Sequence, residues 1–132
     1  DYALIEHSFS CDFSQDIYDR LLNLNYDYGV KPILAHIERY SAFMEDFDLL
    51  DEYIDMGCLA QVNISSFVDS PRHLKKKLFK LLQTGRIHLI GSDCHNLSSR
   101  KPDFETGVGE IVKKCSRSVI EELENNANIL VK

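Results

Sequence analysis

Ile87-His88-Leu89-Ile90-Gly91-Ser92-Asp93-Cys94-His95-Asn96 is a short apolar run that ends abruptly in ionisable groups, and Pro32-Ile33-Leu34-Ala35-His36 repeats the pattern upstream. Such a run predicts a buried parallel strand that delivers side chains to the rim of an α/β sheet, where folds of this kind bind metals and substrates. Asp93 and His95, two residues apart, can turn one oxygen and one nitrogen toward the same point. Borderline divalent cations prefer that pairing. An Asp-x-His pair alone is not diagnostic, so the rest of the chain has to support it.

On either side, the chain repeats one unit: an apolar run, an amphipathic helix and a glycine. Residues 2–6 form the first run; Ile17, Leu21, Leu24 and Tyr28 then fall on one helical face, and Gly29 stops the helix. Residues 32–35 form the second, followed by Phe47, Leu50 and Ile54, with Gly57 at the end. After the third run, 59–64, Ser70-Pro71 reads as N-cap and first helical residue; Leu74, Leu78, Leu81 and Leu82 line one face and Gly85 closes the helix. The fourth run, 87–90, leads into a long loop over 91–102. Val108, Ile111, Val112 and Cys115 then give a helical face, and Ser118 with Glu121 makes a capping box for a last helix. Strands alternating with helices predict a parallel sheet. The almost regular spacing of the strand ends, near Glu6, Ala35, Ile64 and Ile90, predicts successive βα units of a (β/α) barrel. With about four parallel strands and flanking helices, the chain reads as half of such a barrel.

Composition sets the outer limits. The 132 residues, 44% hydrophobic and 27% charged, fit one soluble domain with an ordinary core. A net charge of −6 argues against nucleic acid or an anionic membrane as partner, because the basic run Lys75-Lys76-Lys77 reads as a solvated helix face. The chain has no apolar stretch of the roughly 20 residues that a membrane span needs, and no charged-then-apolar leader at its start, which points to the cytoplasm. Cys11, Cys58, Cys94 and Cys115 are too dispersed for a disulfide framework or zinc knuckle and read as reduced thiols.

The polar groups at the strand ends carry the chemistry. Glu6 ends the first strand, His36 follows the second, Asn63 ends the third, and Asp93 and His95 follow the fourth. Singly, each has an ordinary reading; a glutamate at a strand end is usually solvated or caps the next helix. Together they offer the mixed oxygen and nitrogen set that Mn²⁺, Fe²⁺ or Zn²⁺ accepts. His73, in a lysine-rich helix, reads as surface; His88, inside a strand, as packing; and His7 is open between roles. Arg39 lies three residues after His36 and Arg100 five after His95, so two planar guanidinium forks can reach the same rim and bind a phosphoryl group. A metal there would supply an activated water and require no covalent protein intermediate. Cys94 and Arg100 also satisfy the Cys-x5-Arg spacing of thiolate phosphatases. The Asp93 carboxylate beside Cys94 opposes the depressed thiol pKa that such chemistry needs, and the segment between them contains no glycine.

The blocks Leu-Ile-Glu6, Ile-Leu-Ala-His36-Ile-Glu-Arg39-Tyr40, Gln61-Val-Asn63 and Gly-Ser-Asp93-Cys-His95-Asn96-Leu-x-x-Arg100 resemble the CpsB/CapC-type tyrosine phosphatases of the polymerase-and-histidinol-phosphatase (PHP) superfamily. The resemblance covers nearly the whole chain. It implies a distorted TIM-like barrel, with Glu6, His36, Asp93 and His95 as metal ligands in a multinuclear, typically Mn²⁺-dependent site and with Arg39 and Arg100 as phosphate-binding arginines. It implies removal of phosphate from tyrosines of the bacterial kinase that controls capsule and exopolysaccharide assembly. The family's His-x-His pair has no counterpart in these residues, so the chain corresponds to the C-terminal half of a PHP-type phosphatase domain, with an incomplete site and doubtful activity of its own. Two sheet edges would be left open, and two copies could pair. Another PHP phosphoesterase of histidinol-phosphatase or polymerase-associated type shares these ligands. A binding or assembly module with a vestigial site shares them too; substrate preference and metal-dependent turnover separate the three.

Overall fold

The computed structural model describes residues 1–91 and 97–130, with the backbone alone for 97–104. Asp93, Cys94 and His95 lie outside the described residues, and Arg100 is described only as helical backbone. Two compact units divide the chain, Asp1–Gln61 and Val62–Lys132.

The first unit opens with strand β1 (Tyr2–Ile5), helix α1 (Gln15–Tyr26) and strand β2 (Lys31–Leu34). β1 pairs with β2 in parallel, Tyr2 opposite Lys31 and Ile5 opposite Leu34. Within β2, Pro32, Ile33 and Leu34 are all buried, as expected of a parallel strand covered on both faces. After a single 3-10 turn (Ile37–Arg39) come helices α2 (Ser41–Glu45) and α3 (Phe47–Met56) and strand β3 (Leu59–Asn63). β3 runs parallel to β2, with Ile33 opposite Leu59 and Leu34 opposite Ala60. An Asp46 carboxylate oxygen accepts the N–H groups of Asp48 and Leu49 and starts α3, a cap worth about 1 kcal/mol. Gly57 ends the helix at φ +122°, a conformation that disfavours any residue with a Cβ. The core is aromatic: Phe13, Tyr40, Phe43 and Tyr53 are buried, and Phe13 meets Phe43 at 4.1 Å between ring centroids.

The second unit contains helices α4 (Ser66–Asp69) and α5 (Arg72–Gln83), strand β4 (Leu89–Gly91), and helices α6 (Leu97–Lys114) and α7 (Arg117–Leu130). The Ile64 N–H donates to the Gly91 carbonyl at 2.8 Å where β4 ends. Val62, Ile64, Phe67, Leu78, Leu81, Ile111 and Leu123 form its core, and fully burying each such side chain contributes about 1.5–3 kcal/mol. Gly107 crosses Ile64 so closely that a Cβ there would collide with the Ile64 Cγ1. The Asn126 amide donates to the His88 carbonyl at 3.0 Å, tying α7 to the approach of β4.

The strand order is β1-β2-β3-β4, and the fold is the expected α/β class, a four-stranded parallel sheet with flanking helices. Several local expectations are corrected. The long loop over 91–102 does not extend that far, because α6 begins at Leu97 and runs through Pro102, Gly107 and Gly109. Of its helix-disfavouring residues, Gly107 is packed closely against Ile64, whereas Gly109 faces open space. Ser118 is inside α7, so Ser118 and Glu121 form no capping box. Pro71, not Ser70, occupies the cap position of α5. Tyr28 lies beyond α1 and is exposed, and Tyr53 and Met56, not Phe47 and Ile54, are the buried residues of α3 beside Leu50. His88 precedes β4 rather than lying inside it. His73 is exposed, as expected.

Candidate metal centre

β1 and β2 are parallel neighbours in register, so the residues just past their carboxyl ends emerge side by side. Glu6 follows β1, and His36 follows β2 after Ala35. The Glu6 Oε1 lies 3.7 Å from the His36 Nε2, with the glutamate side chain exposed and the histidine largely buried. Among the described residues, the buried Nδ1 of His36 has no hydrogen-bond partner. An imidazole held in this way beside a carboxylate fits a divalent metal, which accepts one nitrogen and one oxygen donor from such a pair.

The backbone at His36 is unusual. Its φ of 38° and ψ of 59° put a non-glycine residue in the left-handed region, a strain of about 1–3 kcal/mol that persists only where surroundings enforce it. Gln61 provides part of that enforcement, its side-chain oxygen accepting the His36 N–H at 2.6 Å. Rings supply the rest. Phe9 meets His36 edge-to-face at 5.5 Å between centroids, and Tyr40 lies at the same centroid distance.

The Arg39 guanidinium carbon sits 5.5 Å above the centre of the Phe9 ring, so Phe9 contacts both the expected phosphate-binding arginine and the expected metal ligand. A cation–π contact at an exposed site contributes about 0.5–1 kcal/mol and leaves the guanidinium edge available to an anion. The Tyr40 hydroxyl accepts the His7 N–H at 2.9 Å, which ties the chain after β1 to the turn after His36. Burial, reinforced by Glu6, Cys11 and Glu38, raises the Tyr40 pKa against the lowering effect of the His7 hydrogen bond. His7 packs edge-to-face on Phe13 at 5.2 Å; burial first, and then Arg20, lowers its pKa.

Of the six expected site residues, the structure brings Glu6 and His36 together and sets Arg39 over Phe9, which also contacts His36. Asp93 and His95 lie outside the described residues, as does the Arg100 side chain. Asn63 is buried at the end of β3, where it was expected. Among the described residues, no cluster of three or more histidine, cysteine or carboxylate groups is suited to a metal. Phe9, and the hydrogen bond from His36 to Gln61, were missed. Phe9 carries no local signal, whereas the polar Gln61 between Ala60 and Val62 inside a strand could have been one.

An α/β chain with polar side chains at the carboxyl ends of neighbouring parallel strands belongs to the broad class of sheet proteins that bind ligands at those ends. The family model described as "Capsular polysaccharide synthesis, CpsB/CapC" matches residues 1–132, and the chain belongs to that family. It is 36% identical over 129 residues to the tyrosine-protein phosphatase CpsB of Streptococcus pneumoniae, covering 92% of this chain and 52% of that protein. It is 26% identical over 105 residues to the tyrosine-protein phosphatase YwqE of Bacillus subtilis, covering 79% and 41%. A solved structure from work on YwqE and CpsB, described there as "unique metal-dependent tyrosine phosphatases", superposes with a TM-score of 0.87 at 25% identity, covering 98% of this chain and 52% of that one. The chain thus spans about half the length of the relatives it matches. Among the described residues, no helix is long and apolar enough to cross a membrane.

Proposed function

We propose that the protein containing this chain is a divalent-metal-dependent phosphoesterase that hydrolyses phosphotyrosine on a protein, and that its substrate is a bacterial tyrosine kinase in capsule and exopolysaccharide regulation. The observation that carries the reading is the Glu6–His36 pair at neighbouring strand ends, with the Glu6 Oε1 3.7 Å from the His36 Nε2. Relatives named as tyrosine-protein phosphatases support the substrate class. Residues 1–132 read as the C-terminal half of a PHP-type phosphatase domain, working in the cytoplasm.

In this reading Glu6, His36, Asp93 and His95 hold the metal, Mn²⁺ in first place with Fe²⁺ or Zn²⁺ as alternatives. Bound there, a divalent ion supplies Lewis-acid polarisation of the phosphoryl group and a water of lowered pKa. Arg39 and Arg100 bind and orient the phosphate oxygens through their planar forks. Gln61 holds the His36 backbone in its left-handed turn, and the Phe9 and Tyr40 rings fix the imidazole plane.

The test is hydrolysis of a phosphotyrosine peptide by the full-length protein, with Mn²⁺, with a chelator and after thiol alkylation. The expected result is loss of turnover on chelation and retention after alkylation. If Cys94→Ser abolished turnover while chelation left it intact, the thiolate mechanism would replace this one.

A further inference from the structure

Arg72, Lys75, Lys76 and Lys80 of α5 and Lys114 of α6 line one open groove of about 620 Å³. Its size is that of a site for a small ligand or a few peptide residues. The groove concentrates five cations in a chain whose net charge is −6. Among the described residues, none of the five takes part in an ion pair. The basic run therefore has two parts: Lys75 and Lys76 face the groove, and Lys77 is not in its wall.

Two other wall residues narrow the occupant. Phe79 contributes an apolar surface, braced by its ring contact with Phe67 at 5.2 Å. Glu110 places one carboxylate among the cations. A strand with a phosphate at every step would be repelled there, whereas a peptide can put an uncharged residue opposite it. A nucleic acid or an anionic membrane also extends beyond the groove and meets a chain of the same, negative net charge. We propose that this groove docks a short acidic peptide segment of a protein partner, with carboxylates on the lysines and an apolar side chain against Phe79.

Fluorescence anisotropy of the full-length protein with a labelled Glu/Asp-rich peptide carrying one Phe tests this without reference to phosphatase activity. The probes for the other sources are a Gln/Asn version of the peptide, an oligothymidylate of the same length and phosphatidylserine vesicles. Lys80→Glu should weaken the acidic peptide about tenfold. Lys113→Glu, an exposed change on α6 outside the groove, should have little effect. Circular dichroism checks that both variants fold, and Lys76→Glu provides a second groove variant should one fail. Three results would overturn the proposal: no binding of the acidic peptide, equal weakening by Lys113→Glu, or tighter binding of the oligonucleotide or the vesicles.

Discussion

The Glu6 Oε1 stands 3.7 Å from the His36 Nε2 because two parallel strands in register end side by side, and His36 turns back through a left-handed backbone to meet it. Removing either group should cost the full-length protein at least about 10–100-fold in Mn²⁺ affinity. His36→Gly is the informative variant, since glycine accepts φ +38° and the imidazole is lost without adding strain. Calorimetric Mn²⁺ titration of Glu6→Gln and His36→Gly checks this, and unchanged affinity in both would remove the pair from the metal site.

Arg39→Lys keeps the charge and loses the planar fork. On the proposed phosphate role, kcat/KM for a phosphotyrosine peptide falls about tenfold, and inhibition by inorganic phosphate weakens in parallel. Steady-state kinetics on the folded variant is the measurement; a wild-type phosphate inhibition constant would contradict the role.

Two glycines of α6 should respond oppositely to alanine. A Cβ at Gly107 collides with the Ile64 side chain and comes within 3.0 Å of its carbonyl, whereas one at Gly109 meets nothing within 4 Å. Gly107→Ala is expected to destabilise by about 1–3 kcal/mol. Gly109→Ala should stabilise by about 0.5–1 kcal/mol through helix propensity. Denaturant unfolding of both variants decides the matter.

Stability should decline in alkali. Burial pushes the Cys58 thiol from 9.0 up to about 12. It also raises Tyr53, whose hydroxyl donates to the Phe13 carbonyl at 3.0 Å. Well below pH 9 both groups are protonated in the folded and unfolded chains alike. Above it the unfolded chain releases protons that the folded chain keeps, so stability falls as the pH rises toward about 12. Thermal melts across that window should show a falling Tm, less steeply in Cys58→Ala, and a flat Tm would contradict the burial of these groups. The same protonation predicts that Cys58 resists alkylation in the folded protein at neutral pH.

The sequence by itself determined the α/β class, the four strands to within about two residues, and the candidate ligands, because apolar runs ending in polar groups are a local signal. It placed Glu6 and His36 at strand ends without knowing that those strands are neighbours; the register of β1 on β2 decided that. It read 91–102 as a loop, whereas α6 begins at Leu97 and continues through Gly107, which is seated closely on Ile64, a residue far away in the chain. Phe9 beneath Arg39, Gln61 on the His36 N–H and the basic groove between α5 and α6 join residues far apart in the chain. Periodicity and spacing describe neighbours along the chain, whereas these contacts depend on how separate elements pack, and that is decided only when the tertiary structure forms.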